Sequence, residues 1–440
     1  MKYQEIKNKN LVSYFVLTII GFCLFFFWTK SDENLKLPFD GYFEISFNLV
    51  NKGVFSLSQP NLDKEATPTM RRAPGYPYFL SAIIKTFNLE ELQKKCLVEQ
   101  KDCNVFLKKK SFIFSLICIL SIIFLFQTCQ KLGATYIASL VVSIVSMIIV
   151  SKEMIINYNS ETFGLFLFSL SSYFLARFIK TQKKSEMIFF SIFLSLLILT
   201  RNVFLYFIPF FIIILLLFGF KKKSSLKQKL TNFIVFFLSL TFFILPWVLR
   251  NNFYFNSYSI AESGSVKVLS NRLEHNNMSN KEFYIGILYW APIPGIKALV
   301  EKNISSIHWQ RFDTKSEESF RVVGRINAAN LVREKNYSQA KVFLLKKMLS
   351  DPLQNFKISI LMGWRGLKYC FVFFPFFIIF LIKNIKRKYY ISIFSLTIFN
   401  FLFHSLFTHF NVRYGYPMVF GFAVSTALYF SMKSIKWTKF

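Results

Sequence analysis

The sequence predicts an all-α integral membrane protein of about ten transmembrane helices with two large outward loops. Three observations carry this prediction. Of the 440 residues, 53% are hydrophobic and 19% aromatic, above the roughly 45–50% apolar content of soluble domains. Apolar runs of bilayer length recur along the chain. The basic residues behind the net charge of +31 punctuate those runs, whereas a nucleic-acid-binding protein would gather them on one polar domain. No nucleic-acid partner is expected.

The runs occupy residues 11 to 28, 111 to 128, 134 to 150, 157 to 176, 187 to 200, 203 to 220, 232 to 249, 366 to 382, 389 to 407 and 414 to 431. Most approach the ~20 residues needed to cross ~30 Å of hydrocarbon, where backbone polar groups must be satisfied within a helix. The run from 187 to 200 is short. A cytoplasmic N-terminus puts Lys2, Lys7, Lys9 and the basic stretches 177 to 184, 221 to 229, 383 to 388 and 433 to 439 on one side, as the positive-inside rule requires. Lys108, Lys109 and Lys110 are the exception. A further span at 77 to 88 would bring them inside but would expel the richer basic loops, so it is rejected. The first run follows a basic start as in a signal peptide, yet Trp28-Thr29-Lys30 offers no small-residue cleavage site, so it is expected to stay as an anchor. Both termini are then cytoplasmic, in a plasma (inner) membrane.

The spans leave two outward segments, 29 to 110 and 251 to 365, within one domain covering 1 to 440. Pro77 to Phe87 is apolar but too short to span, which predicts an interfacial or re-entrant helix. In the second loop, Phe283 to Val300 is broken by Pro292 and Pro294. Ser338 to Leu349 sets Val342, Leu345 and Leu349 against Lys341, Lys346 and Lys347. Both segments read as interfacial. Cys23, Cys118, Cys129 and Cys370 lie in or beside spans as packing residues. Cys96 and Cys103 fall outside, where an oxidising compartment would let them pair, and the sequence leaves that open.

The acids are placed asymmetrically: of 23 Asp and Glu residues, only Glu5 and Glu186 fall on the cytoplasmic side. Chemistry is therefore expected on the outer face. Asp40 precedes Gly41, and Glu44 follows at a spacing of four, which puts both carboxylates on one face if a helix starts at Phe39. Apolar surroundings would raise a carboxylate pKa towards the range useful to a general base; the plainer reading is an N-cap aspartate beside a solvated glutamate. Glu161 is set into the start of an apolar span, a position that needs a polar cavity or the helix dipole. Arg201, Arg250 and Arg413 each end or begin a span on the outer side, against the positive-inside rule. With Arg71 and Arg72 they could surround a lipid-linked phosphate, which guanidinium groups match bidentately; singly, each reads as a snorkelling arginine. His275, His308, His404 and His409 show no metal-ligand spacing, and no glycine-rich nucleotide loop occurs.

Several of these residues lie in a recognisable order. Asp40-Gly41-Tyr42, Asn48 to Val50, Gly53 to Ser56 and Arg72-Ala73-Pro74-Gly75-Tyr76-Pro77 come first. Ser160-Glu161-Thr162, Thr200-Arg201, Pro246 to Asn251 and Arg413-Tyr414 with Pro417 follow. The pattern resembles the C-type (GT-C) membrane glycosyltransferases, especially the aminoarabinose-transferase and protein-mannosyltransferase-like group, over nearly the whole chain. The resemblance implies transfer of a sugar from a polyprenyl-phosphate carrier to a lipid-linked, glycan or protein acceptor, with inversion at the anomeric carbon. Asp40 matches the catalytic aspartate of the first loop, Glu161 a second acid facing the same cavity, and Arg72 and Arg413 positions that bind the carrier phosphate. Arg71, Arg201 and Arg250 support that phosphate site, and Glu44 is a supporting acid. No cofactor is implied with certainty. Several relatives place two adjacent acids where this chain has Asp40-Gly41, so a divalent metal is not expected. Many relatives also add a soluble C-terminal domain, so here the second loop is expected to recognise the acceptor.

Two other classes share parts of this pattern. An envelope glycan polymerase or ligase would use loop arginines and histidine without the first-loop aspartate. A membrane transporter would show charged residues at mid-span and helices broken by Gly or Pro at the midplane, and none is seen.

Overall fold

The computed structural model describes residues 2–30, 41–60, 65–156, 160–219, 225–262 and 265–432. Every regular element among them is helical. The chain forms two compact units: Met1–Ser263 with Phe376–Leu396 and Phe420–Phe440, and Gly264–Pro375 with Thr397–Val419.

The first stretch of chain builds α1 (Lys2–Thr29), α2 (Tyr42–Lys52), α3 (Gly75–Thr86), α4 (Glu90–Leu97), α5 (Cys103–Leu132), α6 (Tyr136–Ile156), α7 (Ser160–Thr181), α8 (Lys184–Thr200), α9 (Phe207–Ile214) and α10 (Leu226–Phe255). The middle stretch adds α11 (Ser265–Asn276), α12 (Asn280–Tyr289), α13 (Ile296–Asn303), α14 (Ser306–Trp309), α15 (Phe320–Glu334), α16 (Tyr337–Leu349) and α17 (Pro352–Gly366). Then come α18 (Phe374–Lys383), α19 (Tyr389–Ile393), α20 (Ser395–Phe407) and α21 (Tyr416–Ser431).

Among the described residues, six helical segments are long and apolar enough to cross a membrane: Lys9–Thr29, Cys103–Leu132, Tyr136–Ile156, Ser160–Thr181, Asn202–Gly219 and Leu226–Phe255. A seventh is added if the broken pair Pro352–Tyr369 and Phe374–Lys383 counts as one. The protein is thus a helical membrane protein. Three of the other expected runs form shorter helices, α8 with 17 residues, α20 with 13 and α21 with 16. The expected continuous span at 366 to 382 does not form. Instead α17 closes at Gly366, the chain turns through Leu367–Phe373, and α18 starts at Phe374. Pro375, second in α18, has no N–H to donate, which suits it to the first turn of a helix that starts afresh.

The first helices after α1 are short. α2 opens at Tyr42 with Gly41 as its left-handed N-cap (φ 82°) and Glu44 in its first turn, while the expected helix start at Phe39 and the one-face pairing of residues 40 and 44 rest on positions 39 and 40. Phe39 and Asp40 lie outside the described residues. α3, which runs 12 residues and about 18 Å, is anchored by protein: Tyr76, Leu80, Ile83 and Ile84 are buried against Phe43 of α2, Leu89, Cys96 of α4, and Phe106 and Phe114 of α5. Lys110 is buried in this cluster, its Nζ 3.9 Å from the Phe43 ring centre and 5.1 Å from that of Phe114, an arrangement in which ring faces receive the ammonium. Cys96 and Cys103 form a disulfide that joins the end of α4 to the start of α5.

In the second unit, the break around Pro292 and Pro294 separates α12 from α13 as expected. The segment 338 to 349 forms most of α16. α16 buries Ala340, Leu344 and Met348, spaced by four, against Val266, Leu269 and Leu273 of α11, while Val342 and Leu349 are exposed and Leu345 is only partly covered. Packing onto α11 thus chooses a stripe offset from the one that segregates from lysine.

Leu80→Ala, at a side chain 1% exposed, should lower stability by about 2–5 kcal/mol. Phe87→Ala, at a position 52% exposed, should stay within about 0.5 kcal/mol. Comparable losses in detergent unfolding would show that α3 is not held by this cluster.

Candidate functional site

Three of the separated sequence segments meet in the first unit. The close approach of α3 to α8 sets their geometry. A Cβ on Gly75 would lie 2.4 Å from Thr200 Oγ1 and 2.9 Å from the Thr200 nitrogen, so only glycine lets the start of α3 rest on the end of α8. This brings the segment after Arg72 to Thr200-Arg201. Phe79 of α3 stacks on Phe163 of α7 with ring centres 3.8 Å apart, which adds the start of α7 to the same corner.

There Glu161, 5% exposed, accepts from Arg201 Nη1 at 2.7 Å. Ser160 Oγ lies 3.4 Å from the other Glu161 oxygen, and Tyr42 of α2 donates its hydroxyl to Ser160 Oγ at 3.4 Å. The Tyr42 ring faces Arg72, whose guanidinium carbon sits 5.1 Å from its centre. A Cβ on Gly41 would be 3.9 Å from Arg72 Nε. Tyr42, Arg72, Ser160, Glu161 and Arg201 therefore form one polar corner at the ends of α2, α7 and α8.

The Arg71-Arg72 segment is fixed from the other side by Arg250, which donates to the Thr69 carbonyl at 2.9 Å and to Asn251 Oδ1 at 2.8 Å. Its guanidinium also lies 4.6 Å from the Trp247 ring and 5.5 Å from that of Phe55. Glu262 N–H donates to the Met70 carbonyl at 2.9 Å. Arg71 itself is exposed, its backbone N–H reaching Thr69 Oγ1 at 3.2 Å. Glu44 sits in the first turn of α2, with Oε2 inaccessible and without a hydrogen bond among the described residues. No group of three or more His, Cys, Asp or Glu residues suited to hold a metal occurs among the described residues.

Arg413 belongs to the second unit, in a short turn Val412–Gly415 whose backbone is capped by Asn411. The same unit holds Arg272, Arg321 and Arg365, which the sequence did not single out, and His275 and His409, named there only for lacking metal-ligand spacing. Arg321 has its pKa held below the usual arginine range by burial, and then by the charges of Arg325 and Arg413. Arg365 is 6% exposed, donates to the His409 carbonyl at 3.1 Å and lies 4.2 Å from the Trp290 ring centre. His275 Nδ1 lies 2.5 Å from the Asn271 carbonyl; a carbonyl only accepts, so this nitrogen carries the proton. Burial first, and then Arg365, Arg272 and Arg311, push the His275 pKa down to about 3, against the Asn271 hydrogen bond. Burial and the same kind of cationic neighbours hold His409 well below the usual histidine range. Arg272 is fully buried but well served, donating to Asn276 Oδ1, the Asn355 carbonyl, Asn355 Oδ1 and Ser359 Oγ at 2.6–2.9 Å.

Comparison of the sequence with family models and with curated proteins returns no match.

Two predictions follow from these geometries. Glu161→Gln leaves Arg201 without its carboxylate and should cost about 3 kcal/mol, while the Glu161→Gln/Arg201→Gln double variant recovers part of it. Thermal unfolding of the four proteins gives the coupling, and a value below about 0.5 kcal/mol would refute the pairing. The second concerns pH. His275 and His409 have folded pKa values below their unfolded ~6.5, so the unfolded chain binds more protons as pH falls, and stability present above pH 6.5 declines below it. The loss should reach on the order of 2 kcal/mol per histidine by pH 5 and be smaller in His275→Gln. Equal wild-type stability at pH 7 and pH 5 would contradict it.

Proposed function

We propose that the protein is an inverting glycosyltransferase that moves a sugar from a polyprenyl-phosphate carrier to a lipid, glycan or protein acceptor at the outer face of the plasma membrane. The observation that carries this reading is the convergence in the first unit of Arg72 to Tyr76, Ser160-Glu161 and Thr200-Arg201. These segments are far apart in sequence and each belongs to the family pattern. In this reading the ten apolar runs span the membrane and the two long loops face outward.

Asp40 then removes the proton from the acceptor hydroxyl. The oxygen attacks the anomeric carbon, and the bond to the carrier breaks with its electron pair leaving on phosphate. A base on the acceptor and fixed positive charge on the departing phosphate are what such a step requires. Gly41, next to Asp40 in sequence, faces Arg72, which supports assigning base and phosphate ligand to the same region. Arg72 holds the phosphate, with Arg71 beside it. Arg201 pairs with Glu161 and orients it as the second acid, and Arg250 fixes the Thr69–Arg72 backbone. Glu44 is the supporting acid.

Asp40→Asn should abolish transfer from a polyprenyl-phosphate sugar while the purified protein keeps its melting temperature. Arg72→Ala should chiefly raise KM for the donor, by roughly tenfold, as loss of a charge-assisted phosphate contact predicts. Full transfer activity in Asp40→Asn sinks the mechanism.

A further inference from the structure

Several buried or half-buried charges among the described residues meet an opposite charge. Arg201 meets Glu161, Arg177 meets Glu186, and Arg311 meets Glu282. Arg272 is solvated by four protein oxygens. Arg365 and Arg321 depart from this. Arg365, 6% exposed, has one hydrogen bond, to a backbone carbonyl, and its Nε has no partner among the described residues. Arg321 Nε is likewise inaccessible and without a partner among them. The charged groups acting on either arginine are other arginines, with no carboxylate among the described residues. His409, 5% exposed, has an Nδ1 without a partner among those residues.

The sequence builds this gathering deliberately close. A Cβ on Gly366 would lie 2.3 Å from the Phe410 ring, and one on Gly415 would lie 2.5 Å from the Gly366 carbonyl. The end of α17 is thereby pressed onto residues 410 to 415, setting Arg365 beside His409 and the turn that carries Arg413. Arg321 and Arg325, spaced by four, share a face of α15, which is held against α11 at Gly324 and Asn271.

Bringing guanidinium groups together out of water, with no anion to neutralise them, is unfavourable. A phosphate offers several oxygens in the geometry that guanidinium forks accept, and an uncharged imidazole can add a donor. We propose that the second unit carries an oxyanion site for a phosphate group, lined by Arg321, Arg325, Arg365 and His409 and closed on one side by Trp290. The ligand is a free phosphate or a phosphate-bearing lipid headgroup. The site does not rest on the proposed transfer reaction.

The test uses the full chain in phosphatidylcholine nanodiscs, with no sugar donor or acceptor, so failed transfer and failed binding are separable. In one arm, inorganic phosphate and pyrophosphate are titrated against tryptophan fluorescence, to which Trp290 contributes. In the other, phosphatidic acid is introduced into the nanodisc at increasing fraction. Saturable binding is expected in at least one arm, and the arm that binds names the source. Arg321→Gln and Arg365→Lys should each weaken it about tenfold or more, as loss of charge-assisted contacts predicts. Lys297→Gln, whose lysine pairs with Glu301, should bind as wild type. If Arg365→Lys does not fold, judged by its melting curve, Arg321→Gln alone decides. Absence of saturable binding in both arms, or unaltered binding in the folded arginine variants, overturns the proposal.

Discussion

A carboxylate that is 5% exposed at the head of an apolar helix can remain charged only if something replaces the water it has lost, and for Glu161 that is Arg201. Much of the polar corner depends on this pair. Arg201 is where α8 ends, and Thr200 beside it is the surface on which Gly75 rests, so the ion pair and the α3–α8 contact share one point of chain. Ser160 and Tyr42 extend the polar network to α2, and Arg72 closes over the Tyr42 ring. Below it, α3 is fixed by apolar packing on α2, α4 and α5. A short loop helix is made rigid by protein on one face, and the arginine that precedes it inherits that rigidity.

How much of this was legible in the sequence follows from which forces act locally. The long apolar runs appear as helices because length and hydropathy are properties of a segment alone, and α1, α5, α6, α7 and α10 lie where those runs predict. Glu161 and the terminal arginines stood out because a charge among apolar residues is conspicuous without any structure. The failures need tertiary knowledge. The continuous span at 366 to 382 failed where Pro375 suits a fresh start, a signal that was present and outweighed by the hydropathy of the run. The stripe of α16 that packs on α11 includes Ala340, a residue too small to register as apolar patterning.

The arginines of the second unit were invisible for a different reason. Arg321 lies in a polar, basic stretch of the second loop and Arg365 at the loop's end beside an expected span, where single arginines read as solvated or snorkelling. They become notable only once Gly366 and Gly415 allow two backbones to touch. Two glycines separated by 49 positions carry no pattern that a linear reading detects. Lys110 shows the converse: conspicuous as a misplaced topology charge, it is engaged in packing against Phe43 and Phe114, so a lysine tally weighs it as though it were free in water.

That last point gives the Cys96–Cys103 bond a value apart from stability. A disulfide persists on the oxidising side of a membrane and is reduced on the other, so the covalent state of this pair reports the sidedness of the α4–α5 connection. Cys118, Cys129 and Cys370 are buried and stay silent towards a polar alkylating reagent. The redox state of two sulfur atoms in the intact cell thus gives the orientation of the chain by a criterion that owes nothing to counting charges.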